Sequence, residues 1–377
     1  MEFRKLGRTN ENVGVIGLGC EHLDRKPYEQ VAETIDAALD IGVNLLDVFM
    51  PGEEVRTHVA KAIGGRRKNL LIQGHIGASD VNQQYDISRD MPTVKKYFET
   101  LLRLFGYIDF GMLFFIDSED DFKNVFETEF IEYARKLKRQ GDIRHIGFSS
   151  HNPATAKRVI ATGEVDMLMF SINPAFDMLP PHMPALEQID KQFAGALFRG
   201  IDPERAALYD LCERENIGIT VMKALGAGKL LSADHTPYAK PLTLNQCVHY
   251  ALSRPAAASV LPGCRTAAEM RQIAEYLSAS AEEKDFSDTI RDLRADFAGN
   301  CVYCSHCQPC PAEIDIAGVH KYLDIARLDT ASIPPSVRSH YAALPGGTCI
   351  ECGNCESRCP FGVKIIENLK EAGRIFA

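Results

Sequence analysis

Along the first three quarters of the chain, short runs of β-branched and other apolar residues alternate with segments whose apolar positions recur at helical spacing. The runs are Val13 to Leu18, Val43 to Val48, Leu70 to His75, Phe110 to Ile116, Ile143 to Ser149, Asp166 to Ile172, Gly218 to Met222 and Ala258 to Leu261. Between the first two, Val31, Ile35, Ala38 and Leu39 mark one face of a helix, and a single long helix is predicted from Phe122 to Arg139, stopping at Gly141. Strict β/α alternation implies parallel strands joined by right-handed crossovers, and eight such units close into a (β/α)8 TIM barrel. A doubly wound open sheet is the other architecture this rhythm permits.

The rhythm breaks twice. Pro174 to Asp202 joins the sixth strand to the next helix and is far longer than the roughly 2–6 residues usual for such a loop. In a barrel it would lie over the mouth, as a lid or as a loop packed on itself. The second break starts near Gly299, where prolines and cysteines replace the apolar runs and one helix, Ile316 to Leu328, stands out. A barrel over residues 1–280, an acidic helical linker over 281–298 and a separate C-terminal domain over 299–377 are expected.

Eight of the twelve cysteines lie in two runs, Cys301-Cys304-Cys307-Cys310 followed by Pro311, and Cys349-Cys352-Cys355-Cys359 followed by Pro360. Three thiolates on one tight Cys-x2-Cys-x2-Cys loop can reach three irons of a 4Fe-4S cube, while the Cys-Pro step sends the fourth to the other cluster. Two 4Fe-4S clusters are expected. The first would use Cys301, Cys304, Cys307 and Cys359, the second Cys349, Cys352, Cys355 and Cys310. The first run has two residues instead of three between Cys307 and Cys310, which sets Cys310 apart. The long helix-bearing interval between the runs resembles the mostly helical two-cluster ferredoxin-like domains attached to redox enzymes. Cys212 and Cys247 fall on helical patterns as small core residues, whereas Cys20 and Cys264 fall at strand ends.

The net charge of −9 and pI near 5.7 argue against nucleic acid or an anionic membrane as partner. Short basic clusters such as Arg66-Arg67-Lys68 and Arg135 to Arg139 read as helix ends. No apolar stretch has the roughly 18–20 residues needed to span a bilayer, and MEFRKLGRTN lacks the apolar core of a signal peptide. Clustered thiols kept free for iron suit a reducing compartment, so the chain is expected to be cytoplasmic.

The segments MEFRKLGRTNENVGVIGLG, GVNLLDV, KRQGDIRHIGFSSHNP, NIGITVMKALGAGKLL and LPGCRTAAEM resemble the aldo/keto reductase family, in its branch with a C-terminal 4Fe-4S ferredoxin-like extension. That resemblance implies NADP(H) across the barrel mouth and reduction of a carbonyl by a tyrosine proton donor, tuned by an aspartate and a lysine, with a histidine orienting the substrate. The aspartate falls on Asp47. No tyrosine stands five positions on, the lysine position is His75, and the histidine position is Phe114. The glutamine and aromatic that flank the nicotinamide fall on Met169 and Ile172 beside Asn173. Pro262-Gly263 remain, and Arg265 is placed to touch a phosphate. Ser149, Asn173, Gly263 and Arg265 are therefore the cofactor-binding candidates, for NADP(H) or a flavin.

In a TIM barrel the carboxyl ends of the strands face the active site. Here they give Glu21, His22, Asp47, His75, Asp117, Ser149, Ser150, His151, Asn173, Lys223 and Arg265. Asp47 and His75 come from adjacent strands and can pair, which would make the histidine a proton donor in place of tyrosine. Asp47, His75 and Lys223 are the catalytic candidates. The expected function is an oxidoreductase that moves electrons through its clusters to or from a small molecule at the mouth, served by a ferredoxin-like carrier. A metal-dependent lyase or hydrolase built on His22, His75 and His151 with Asp47 or Glu21 is one alternative. A non-catalytic electron-transfer scaffold is the other.

Overall fold

The structure, a computed structural model, describes residues 1–82, 84–178, 200–290 and 297–377. Eight strands form one parallel sheet: β1 Leu18–Gly19, β2 Leu45–Val48, β3 Leu71–Ile76, β4 Ile108–Leu113, β5 Ile143–Ser150, β6 Met167–Ser171, β7 Gly218–Met222 and β8 Ala257–Val260. Each pairs with its neighbour in sequence order, as in Asp47 opposite Gln73 and Gly74 opposite Gly111. Parallel bridges from Ile16 to Val260 and from Gly19 to Gly263 bring the first strand segment back to the last, so the sheet closes. The strands are buried along nearly their whole length, as continuous apolar runs in a parallel sheet should be.

The first expected strand is two elements. Asn12–Gly14 pairs antiparallel with Phe3–Lys5, and the barrel strand proper begins at Leu18. One apolar run serves both, because this hairpin carries Leu6 and Val13 into the barrel core beside Leu45, Leu71, Phe110, Met112, Met167 and Ala258. Gly218 lets it in: a Cβ there would lie 2.6 Å from the carbonyl carbon of Leu6.

The single helix expected over Phe122 to Arg139 is also two, Glu119–Phe126 and Glu129–Gln140. Ser118 and Asp121 form a capping box at the start of the first. Thr128, extended at φ −129°, starts the second by accepting the Phe130 N–H on its hydroxyl.

The chain divides into two compact units, one of residues 1–171, 218–223 and 258–277, the other of 172–217, 224–257 and 278–377. The second unit thus resumes at Ser278 and also takes in the segments that follow β6 and β7. Of the expected lid, Pro174–Met178 is a short helix and Asp202 caps the helix Pro203–Arg214, while 179–199 lie outside the described residues. Of the expected helical linker, Ala281–Lys284 forms one turn, and 291–296 likewise lie outside them.

The second unit contains the helix Ile316–Leu328 with the predicted bounds. Its Tyr322, Ile325 and Ala326 pack on Ile333 and Val337, and Tyr341 stacks on Phe376 at 4.0 Å. Fully buried Asp177 accepts hydrogen bonds from Arg205 Nε at 2.7 Å, Tyr209 at 2.6 Å and Tyr250 at 2.8 Å, so its charge is compensated. Among the described residues no helix is long and apolar enough to cross a membrane.

Candidate functional site

The carboxyl ends of the barrel strands carry two separate polar clusters. In the first, Asp47 at the end of β2 and His75 on β3 meet as adjacent strands allow, with Nε2 of the ring 2.7 Å from Oδ1 of the carboxylate. Gln73, opposite Asp47 in the sheet, donates to the same oxygen at 3.2 Å. Phe49 and Phe114 present their faces and edges to the imidazole, each at 5.4 Å, and the pair is almost wholly buried. Thus the residue in the family's histidine position, Phe114, walls in the residue in its lysine position. The ring's other nitrogen, Nδ1, is buried with no hydrogen-bond partner among the described residues.

The second cluster draws on three strand ends. Asp117 Oδ2 lies 2.8 Å from His151 Nδ1, and its Oδ1 accepts the His151 backbone N–H at 2.6 Å and the Ser150 hydroxyl at 2.9 Å. His151 Nε2 lies 2.9 Å from Lys223 Nζ. Burial raises the Asp117 carboxyl, but the bonds from His151 and Ser150 outweigh it and hold the group below its ordinary value. Burial lowers the Lys223 amine from its ordinary value, although the charges of Asp117 and Glu21 pull the other way. Lys223, just past β7, and Phe115, just past β4, both take left-handed backbone angles, φ 59° and 55°. Ser149 holds the second of these turns by accepting the Phe115 N–H at 2.9 Å, and the Phe115 ring lies 5.4 Å from that of His151.

The pairing of Lys223 with His151 and Asp117 was not read from the sequence, which grouped Lys223 with His75. Nor do the histidines form the metal centre considered above. His75 is engaged by Asp47 and His151 by Asp117 and Lys223, while the His22 ring fills the space beside Gly263, where a Cβ would meet Nδ1 at 2.2 Å. Among the described residues no three His, Cys, Asp or Glu side chains converge on a point suited to one metal ion.

The other cofactor candidates are dispersed. Asn173 lies in the second unit, where its Oδ1 accepts the Phe176 N–H and starts the short helix Pro174–Met178. Gly263 bridges to Gly19, and the largely exposed Arg265 has its guanidinium 4.0 Å from Glu269. Burial pushes the Cys264 thiol up to about 12 and raises that of Cys20 further, with Asp47 adding to the latter, so neither is a thiolate at neutral pH.

In the second unit, Cys310, Cys349, Cys352 and Cys355 line one small pocket. These are the four thiols that the spacing grouped together, Cys310 among them. Of the other four, buried Cys304 lies near Cys307 and Cys359, and Cys301 near Cys304 and Cys307, while Cys307 is also near Cys355 of the first four. The two loops share a backbone pattern. Tyr303 and Ser305 flank Cys304 at φ 61° and 65°, and Glu351 and Gly353 flank Cys352 at φ 56° and 76°. Left-handed residues alternating with ordinary ones turn successive N–H groups to one side, the concave arrangement found at iron–sulfur sites. Arg358 ties the runs together by donating to the carbonyls of Cys307 at 2.8 Å and Pro309 at 2.7 Å. A cubane gives each thiolate its own iron, so its ligands need not converge as those of a single ion do. The donor set and the loop backbone both fit such a group.

A profile of the Aldo/keto reductase family matches residues 14–246. An uncharacterized oxidoreductase of Bacillus subtilis, YqkF, is 26% identical over 308 residues, spanning 78% of this chain and 96% of that protein. Among solved structures, the holo form of the aldo-keto reductase AKR11C1 from Bacillus halodurans superposes with a TM-score of 0.58 at 20% identity, over 78% of this chain and 96% of that one. An aldo/keto reductase from Klebsiella pneumoniae, in complex with NADP and acetate, does so with a TM-score of 0.54 at 15% identity, over 77% and 95%. At these identities the superpositions establish the barrel fold alone.

Proposed function

The chain belongs to the aldo/keto reductase family and is an oxidoreductase, and we propose that it is an iron–sulfur member, with two 4Fe-4S clusters on its C-terminal segment and a small carbonyl-type substrate at the barrel mouth. The observation that carries this reading is the agreement of the two cysteine loops, which place left-handed residues at the same two positions around their middle cysteine. The cavity lined by Cys310, Cys349, Cys352 and Cys355 supports it.

When bound, the clusters supply single electrons. Cys301, Cys304, Cys307 and Cys359 would hold one, and the cavity-lining four the other. At the mouth, Asp47 engages Nε2 of His75 and the remaining ring nitrogen, Nδ1, is buried, so it would exchange a proton only with a molecule that displaces the side chains covering it. Phe49 and Phe114 keep water from that ring. Lys223, beside His151, is the amine presented to a bound carbonyl.

NADP(H) is the nucleotide assigned to the mouth, since the Klebsiella protein is in complex with NADP and Pro262, Gly263 and Arg265 persist here. A ferredoxin-like carrier is the proposed electron partner, and the cytoplasm the proposed compartment. The test is an iron and sulfide count with electron paramagnetic resonance on anaerobically purified protein, alongside an NADPH titration. About eight irons per chain and a reducible cubane signal are expected. Purified protein that holds no iron even after anaerobic reconstitution would sink the reading.

A further inference from the structure

Lys223, His151 and Asp117 form a chain of contacts ordered as nucleophile, base and orienting acid. The amine lies 2.9 Å from His151 Nε2, and the opposite ring nitrogen lies 2.8 Å from Asp117, which also accepts the His151 backbone N–H. A nucleophile bonded to a base that a third group holds in place is the signature of covalent catalysis, and lysine is the side chain that performs it on carbonyls. We propose that Lys223 captures an aldehyde or ketone as an imine, with His151 as the proton shuttle and Asp117 as its positioning residue.

Charge and geometry both favour this. With Asp117 ionised, moving one proton from the Lys223 ammonium to His151 leaves the net charge of the triad unchanged, so the free amine forms without isolating a charge in a largely buried site. Burial already weakens the ammonium's hold on that proton, and Asp117 stabilises the imidazolium that receives it. The left-handed backbone at Lys223, φ 59°, is rarely adopted by a residue of this kind without a local purpose. Unlike His75, Lys223 is partly exposed, so a molecule at the mouth can reach it.

The step balances without an oxidant or reductant. The amine lone pair forms the Nζ–C bond as the carbonyl π pair moves to oxygen, which takes the proton from His151. Nζ then gives up a proton, the hydroxyl leaves as water after a second protonation through His151, and the C=N bond forms. Because no electrons are exchanged, the inference stands or falls independently of the clusters. An iminium carbon is poorer in electrons than the carbonyl it replaces, which makes it the easier species to reduce.

The full chain is incubated at pH 7 with propionaldehyde or acetone and sodium cyanoborohydride, and alkylated lysines are located by peptide mass mapping. Lys364, whose side chain is 75% exposed, serves as the internal reference. Alkylation of Lys223 is expected to run at least ~10-fold faster than that of the exposed Lys364. H151Q is expected to remove that advantage while leaving Lys364 unchanged, and D117N to reduce it. D117N also decides the matter if H151Q does not fold. Labelling of Lys223 no faster than Lys364, or an advantage that survives both substitutions, would overturn the proposal and leave the contacts as structural.

Discussion

His75 Nε2 and Asp47 Oδ1 lie 2.7 Å apart on adjacent strands, in a pocket walled by Phe49 and Phe114. Both groups are buried, so neither can exchange its partner for water. D47N keeps the shape and removes the charge, leaving a neutral amide oxygen where the carboxylate oxygen faces both His75 and Gln73. A loss of about 1–3 kcal/mol in unfolding free energy is expected, measured as a lower urea midpoint at unchanged slope. Activity at the mouth should fall by more than the folded fraction accounts for.

The assignment of Cys310 to the second set of thiols has a direct consequence. C310S should disturb the group held by Cys349, Cys352 and Cys355 and spare the one held by Cys301, Cys304, Cys307 and Cys359. Iron should drop from about eight toward about four per chain, with one of two cubane signals lost from the resonance spectrum. The same substitution with both signals intact would return Cys310 to an unliganded role.

These cysteine runs, and the barrel itself, were legible because each announces itself locally. β-branched runs mark seven strand positions well, and Asp47 with His75 could be paired because their strands are neighbours. The first strand misled because Val13 faces the core from a hairpin, through tertiary packing that no local pattern reveals. The break at Thr128 had a signal, a threonine able to cap, that the continuous helical periodicity around it overrode. Asp117, His151 and Lys223 were each placed on the strand-end ring, but their union depends on left-handed turns at Phe115 and Lys223 that side-chain type does not predict. The drifted tetrad said which residues were missing, and only the three-dimensional arrangement shows what stands in their neighbourhood.

Asp210, in the second unit, gives a stability signature in pH. Burial, with Asp324 and Glu213 nearby, raises its carboxyl from 3.8 to about 6. A raised carboxyl binds its proton more tightly in the folded chain, so the stability it contributes is present below about 3.8 and is lost as pH rises through about 6. D210N, which cannot ionise, should therefore be more stable than the parent by about 2 kcal/mol at pH 7 and nearly equal to it at pH 4. Urea midpoints of both proteins at these two pH values check it, and a pH-independent difference would contradict it.

Gly218 admits the hairpin that fills the base of the barrel. A Cβ there would stand 2.6 Å from the Leu6 carbonyl carbon and 2.7 Å from the Gly7 nitrogen, and both are backbone atoms that cannot swing aside. G218A should cost about 2–3 kcal/mol through overpacking, read as a lowered thermal midpoint. G163A is a fitting comparison, since nothing lies within 4 Å of its added methyl and only its left-handed backbone opposes it.

The two cysteine loops follow one backbone course but meet different surroundings. Val302, Cys304 and Cys307 are buried, whereas Cys352 is exposed and Ile350 is 65% exposed. Held in these loops, the proposed clusters would become unlike electron wells, because solvent exposure is one of the levers that set a cluster's reduction potential. A pair of such wells, one sheltered and one open to a diffusing carrier, would give electron flow a preferred entrance.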